Sequence, residues 1–222
     1  MAKVYLSPSD QESNVYAYDN TNEAVQCGRI AEACRAALER SGVEVKVGHM
    51  ISMAQKCSES NAFGADLHVP IHTNAFNGKV MGTRLFCYSA GGKGMAACKA
   101  IFARLAPITP GESENIQVNA DYYEVRVPAA PTAYIECEFH DTVEGAKWIV
   151  ENTVLIGETI ARGICDYFGV KFVEKPKPVE PAADVLYRVQ IGAYKVKANA
   201  EKRLEEAKAA GFADAFIVTV KQ

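Results

Sequence analysis

The chain has 222 residues, 49% of them apolar and 23% charged, with a formal net charge of −3. That is enough for one well-buried α/β domain of about 170 residues plus something small. The slight acidity excludes a nucleic-acid or anionic-membrane binder built on positive charge, and no apolar run approaches the roughly 18–20 residues of a spanning helix.

In chain order, apolar periodicity alternates between two and 3.6, which predicts strands and helices in turn and a largely parallel sheet. Val4 to Leu6 reads as a first strand, stopped by Ser7-Pro8-Ser9. A helix follows from about Glu23 to Arg40, its inner stripe formed by Cys27, Ile30, Ala31, Cys34, Ala37 and Leu38, with Gly42 after it. Val43 to Val47 is a second strand and residues 51 to 62 a second helix. Asp66 to His72 and Gly82 to Ser89 are further strands. Gly91-Gly92-Lys93-Gly94 opens a helix with Met95, Cys98, Ile101, Phe102 and Leu105 inward; no Walker spacing follows, so the turn reads as a loop. Residues 107 to 131 hold four prolines and read as cleft-shaping loop. Ala133 to Phe139 is a buried strand, and residues 142 to 168 are helical in one or two segments.

The stretch from Glu174 to Asp184 alternates proline with charge and reads as a semi-rigid linker. It divides the chain into a domain at 1–173, a linker at 174–184 and a small β-α-β module at 185–222. In the module, Leu186 to Tyr194 and Ala215 to Val220 read as strands, with a helix from 198 to 210 between them.

Seven scattered cysteines without a CxxC pair read as buried, reduced hydrophobes of a protein folded in a reducing compartment. The N-terminus, MAKVYLSPS, has no basic-then-apolar leader, so synthesis in the cytoplasm without a signal peptide is expected.

Parallel sheets place ligands at the carboxyl ends of their strands. The polar residues leaving those ends are Ser9, Asp10 and Gln11; His72, Thr73 and Asn74; and Glu136, Glu138, His140 and Asp141, with Glu23 at the start of the first helix. A few nitrogen and oxygen donors beside a carboxylate are what a catalytic zinc site requires. Each has a plainer reading: His72 as a satisfied strand-end histidine, Glu23 as an acidic residue favoured by the helix dipole. His68 and His72 lie about 13 Å apart on a strand, too far to share one metal, so His68 is set aside. His49 reads as loop surface. Glu136 interrupts an apolar strand, and burying a carboxylate costs several kcal/mol unless it is paired or functional. Glu138 shares its face.

These residues resemble the zinc-dependent N-acetylmuramoyl-L-alanine amidases. Val69-Pro-Ile-His-Thr-Asn-Ala75 is similar to that family's S-I-H-x-N-A, and Tyr134-Ile-Glu-Cys-Glu-Phe139 to its V-E-x-G-F. The resemblance implies a six-stranded α/β fold with helices on both faces. It also implies a zinc ion bound by His72 and Glu23, and Glu136 as the catalytic carboxylate. The family's first strand ends D-P-G-H-G; here Leu6-Ser-Pro-Ser-Asp-Gln11 lacks the histidine. Charge favours Asp10 as replacement, while Ser-Pro-Ser-x-Gln resembles a variant of the motif and favours Gln11; Gln11 stands first, Asp10 as its substitute. Glu138, where the family has glycine, His140 and Asn74 are possible supports.

Tyr187-Arg-Val-Gln-Ile-Gly-Ala-Tyr194 resembles the opening of a SPOR domain, which implies binding to peptidoglycan glycan strands. The module is about half the usual length, which raises the prospect of pairing with a second copy. The expected activity is hydrolysis of the amide between N-acetylmuramic acid and L-alanine, as in an autolysin or phage endolysin acting on the wall after release or lysis. The alternatives are a decayed amidase that only binds peptidoglycan, and a zinc hydrolase of another amide.

Overall fold

The computed structural model describes residues 1–113, 115–176 and 189–220. The chain divides into two compact units, Met1–Lys175 and Pro176–Gln222. In the first, six strands form one sheet in the order β2-β1-β3-β6-β4-β5. They are β1 (Lys3–Pro8), β2 (Glu44–Val47), β3 (Leu67–Asn74), β4 (Arg84–Cys87), β5 (Gln117–Val118) and β6 (Tyr134–Phe139). The pairs β1–β2, β1–β3 and β3–β6 are parallel, whereas β4 runs antiparallel to β6. The sheet is therefore mostly parallel.

Strand alternation sorts the two faces. Val4, Leu6, Leu67, Val69, Ile71, Ile135 and Cys137 enter one apolar core. They meet the inner stripes of α1 (Glu23–Arg40), α3 (Lys93–Leu105) and α5 (Val143–Phe168). The intervening residues Tyr5, Ser7, His68, His72, Glu136 and Glu138 are polar or amphipathic, yet buried. Over that second face lies α2 (Met53–Phe63), whose Glu59 accepts the Tyr5 hydroxyl at 3.1 Å and whose Lys56 donates to the Pro8 carbonyl at 2.6 Å. The short α4 (Tyr123–Arg126) covers the same face through Glu124, which accepts from Ser7 on β1.

Local signals set the helix boundaries. Asn22 caps α1 by accepting from the Val25 amide at 3.0 Å, and Ser52 and Gln55 form a capping box on α2. Thr142 caps α5, which kinks at Asn152 (φ −124°, ψ 19°). All seven cysteines are buried free thiols.

α1 and α5 approach closely because position 157 has no side chain. A Cβ there would lie 2.5 Å from the Ile30 carbonyl oxygen and 2.8 Å from the Cys34 amide nitrogen, both backbone atoms that cannot swing aside. Gly157→Ala is expected to destabilise this unit by about 1–3 kcal/mol. The loss should appear in calorimetry as a Tm lowered by about 2–4 °C per kcal/mol.

The structure departs from the sequence reading in two places. Residues 107 to 131 carry β5 and α4 inside the expected loop. Each is too short to show a period: two residues and four. In the second unit α6 (Lys197–Ala209) forms as expected, but 189–194 and 215–220 carry no strand, so the β-α-β module is not formed among the described residues. Two strands and a helix bury too little to hold a sheet. Val189, Phe216 and Val220 are exposed there, and among the described residues only Ala207 is a buried hydrophobe. Residues 177–188, with most of the linker and the first part of the module's opening motif, lie outside the described residues.

Candidate functional site

The site sits at the carboxyl ends of β1, β3 and β6. β1 ends in a turn held by the Ser9 amide on the Ile71 carbonyl, at 2.9 Å. The loop beyond carries Gln11 and Asn14 back to the start of α1, where the Glu23 amide donates to the Asn14 carbonyl at 3.0 Å. That return places Glu23, the first residue of α1, against His72 on β3. His72 Nδ1 is 2.9 Å from Glu23 Oε1. The Thr73 amide donates to the same Oε1 at 3.3 Å, while Asn14 donates to Glu23 Oε2 at 2.6 Å and to Gln11 Oε1 at 2.9 Å. Gln11 Nε2 lies 3.5 Å from His72 Nδ1. Gln11, Asn14, Glu23 and His72 thus form one closed set.

Glu136 is the register partner of His72 on the adjoining strand. Both are 8% exposed, and His72 Nε2 and Glu136 Oε2 are buried without a hydrogen-bond partner. Tyr134 stacks on the His72 ring at 4.7 Å and Tyr122 packs on Tyr134 at 5.1 Å, fixing the imidazole plane.

Electrostatics separate the two carboxylates. Burial alone would raise Glu23, but its bonds to His72, Asn14 and Ser9 outweigh this and hold it below the ordinary value. For His72, burial favours the neutral ring, yet the bond to Glu23 and the charges of Glu136 and Glu23 leave it raised. Glu136 has no such bonds. Desolvation, with the repulsion of Glu23, pushes it up to about 7 against the pull of His72 and Arg84. One carboxylate is committed to charge and its neighbour is poised near neutrality, the division of roles expected where an acid–base group stands beside a cation site.

The other expected residues are employed elsewhere. Asp10 does not join the set: its carboxylate accepts from the Met50 and Ile51 amides at 2.6 and 3.2 Å and pairs with Lys56 at 2.7 Å. It anchors the approach to α2 instead of substituting for Gln11. Glu138 Oε1 accepts from the Gly82 and Phe139 amides, and burial raises it to about 7. It fastens the β3–β4 connection at Gly82 (φ +125°), a backbone region that favours glycine. His140 Nδ1 lies 2.9 Å from Thr73 Oγ1, and its ring stacks on Tyr16 at 5.0 Å. It supports the strand end and the returning loop, not the donor set. Asn74 Oδ1 accepts from the adjacent Ala75 amide at 2.8 Å. Glu138 and His140 thus bond outside the Gln11–Asn14–Glu23–His72 set.

Sequence reasoning missed Asn14 and Tyr134. Asn14 stands in a loop of Asn, Asp, Ser and Thr with nothing to single it out, whereas an aromatic two residues before Glu136 shares its face by strand alternation. His49, read as surface, is exposed and lies 3.5 Å from Asp10.

The donor chemistry fits a divalent cation such as zinc. A carboxylate and an imidazole already meet at 2.9 Å, and two buried polar atoms beside them lack partners. The Gln11 amide can present its oxygen to an ion beside His72 by turning over, which gives up the bond it accepts from Asn14.

Comparison with known proteins gives the family and the fold. A sporulation-specific N-acetylmuramoyl-L-alanine amidase of Bacillus subtilis (strain 168) is 27% identical over 219 residues, 96% of this chain and 83% of the relative. Among solved structures, the catalytic domain of CwlV, an N-acetylmuramoyl-L-alanine amidase from Bacillus (Paenibacillus) polymyxa var. colistinus, superposes with a TM-score of 0.70 at 17% identity. That match covers 77% of this chain and all of that domain. AmiC2 of Nostoc punctiforme gives 0.66 at 18% identity, over 76% of this chain and 97% of its own. At such identities these two show the fold. Residues 173–222 match the SPOR domain model. Residues 9–166 match the N-acetylmuramoyl-L-alanine amidase model, and the chain belongs to that family of peptidoglycan hydrolases.

Proposed function

We propose that Glu23, His72 and Gln11 hold a zinc ion, and that Glu136 is the acid–base residue for hydrolysis of the amide joining N-acetylmuramic acid to L-alanine. The carrying observation is the contact between Glu23 and His72 at 2.9 Å beside an unpartnered, buried Glu136. When bound, zinc supplies Lewis acidity, making a water a stronger acid and polarising the scissile carbonyl. Glu136, raised to about 7, accepts a proton from the attacking water and delivers it to the departing amine of L-alanine. Glu23 stays ionised and supplies negative charge beside His72; Tyr134 keeps the ring from rotating. In the metal-free arrangement Asn14 binds Glu23 and Gln11 together, so both are positioned before the ion arrives.

The SPOR match supports recruitment to peptidoglycan by the C-terminal unit, and the reading places the protein's work on the cell wall after release or lysis. Among the described residues no helix is long and apolar enough to cross a membrane. The competing reading, a decayed amidase that only binds, draws on the absent strand-one histidine. The complete Gln11–Asn14–Glu23–His72 set argues against it. Purified protein should release stem peptides from purified peptidoglycan, lose that activity to a chelator and recover it with zinc. Binding to peptidoglycan without release of peptide, at any metal loading, would favour the decayed form.

A further inference from the structure

The second face of the sheet carries another donor cluster, at the amino-terminal half of β3. Cys57 on α2, His68 on β3 and Glu124 on α4 each offer a ligand atom, all within 4.8 Å of one another. Their exposures are 1%, 0% and 3%. His68 Nε2 lies 3.2 Å from Glu124 Oε1, and Glu124 is also bound by the Ser7 hydroxyl. The His68 ring stacks on Tyr5 with centroids 5.4 Å apart and planes 8° from parallel, so its direction is set. Its second nitrogen, Nδ1, is buried without a partner, so the imidazole is not saturated by its neighbours.

We infer that Cys57, His68 and Glu124 form a second, structural site for a thiophilic divalent cation of the zinc type. A tetrahedral ion with ligands at about 2.0–2.3 Å holds its donors roughly 3.3–3.8 Å apart, which this cluster reaches by a small inward closure. The thiol–imidazole–carboxylate mixture selects zinc over magnesium or calcium, which prefer all-oxygen shells. The cluster shares no residue with the Glu23–His72 set, and four residues along a strand, about 13 Å, separate His68 from His72. One ion cannot serve both.

The three ligands come from three elements, and the ion acts as a staple among them. α4 has four residues, too few to hold a helical turn by itself, and it reaches the sheet through Glu124. It immediately follows Tyr122, which packs on the Tyr134 ring that stacks on His72. Fixing α4 therefore fixes the wall of the hydrolytic site. In the sequence His68 is too far along its strand from His72 to share an ion, Cys57 reads as a small hydrophobe and Glu124 lies in an expected loop, so nothing there unites the three.

Cobalt(II) separates the two sites, because only this one contains a thiol. Purified full-length protein, stripped with chelator and reloaded with cobalt(II), should show near-ultraviolet thiolate-to-cobalt charge-transfer absorption. Cys57→Ser should abolish that absorption and lower the bound metal by one ion per chain, with folding followed by circular dichroism. His72→Ala should keep the absorption while losing amidase activity, so failure of either site is seen independently. A wild-type cobalt spectrum without thiolate absorption overturns the inference, whatever the fate of the variant. So does absorption that survives Cys57→Ser.

Discussion

Glu136→Gln is expected to lower amide hydrolysis by about 10²–10⁴-fold, the usual contribution of a positioned acid–base group, while leaving bound zinc unchanged. Glutamine keeps the size of the side chain but cannot carry a proton from water to the leaving amine. The variant also reports on the carboxylate's environment. In chelated protein the Glu136 carboxyl is held up to about 7, above its ordinary 4.5, chiefly by desolvation. Between those values the folded state binds a proton that the unfolded state has released, so stability falls as pH rises through the window. Glu136→Gln removes that loss. Its stability relative to wild type, read from the Tm difference, should therefore be more favourable at pH 8 than at pH 4, by up to about 3 kcal/mol for a rise from 4.5 to about 7. Retained activity, measured as stem peptide released from purified peptidoglycan, would remove Glu136 from its role. An unchanged Tm difference across that pH range would contradict the buried, unpaired carboxylate.

His72→Ala is expected to weaken zinc affinity by more than the roughly 10–100-fold typical of losing an outer partner, with activity lost in parallel at limiting metal. The substitution also leaves Glu23, 1% exposed, without the imidazole that holds its charge. An uncompensated buried carboxylate is costly, so metal-free His72→Ala should also be less stable than metal-free wild type near neutral pH. Gln11→Ala should have the smaller effect on affinity, because a neutral amide oxygen contributes less than an imidazole. Equilibrium dialysis with zinc, carried out in a Cys57→Ser background so that only the Glu23–His72 site is read, orders the three proteins. Equal affinity in His72→Ala and wild type would place the ion elsewhere.

Much of this organisation was legible in the chain because it rests on long periodic segments. The stripe from Cys27 to Leu38 marked α1 to its first and last residue, and Glu136 stood out as a charge inside an apolar strand. The choice between Asp10 and Gln11 was not legible. It depends on Lys56 and the Met50 and Ile51 amides, which take up Asp10 from 40 to 46 residues away. Asn14 was invisible for a similar reason: a loop asparagine acquires its role only when the chain returns to Glu23. Short elements such as β5 and α4 leave no period to detect, and with α4 went Glu124 and the second donor cluster. In the C-terminal unit the motif resembling a SPOR opening suggested strands, but a polar helix with one buried alanine provides no apolar surface for them to pack on.

The account turns on Glu23 and His72 sharing one ion next to Glu136. Anomalous diffraction at the zinc edge, from crystals of protein that releases stem peptides, addresses this directly. A zinc peak within bonding distance of both Glu23 and His72 is predicted, with or without a second peak at Cys57. Active, zinc-loaded crystals with no peak between Glu23 and His72 would contradict it.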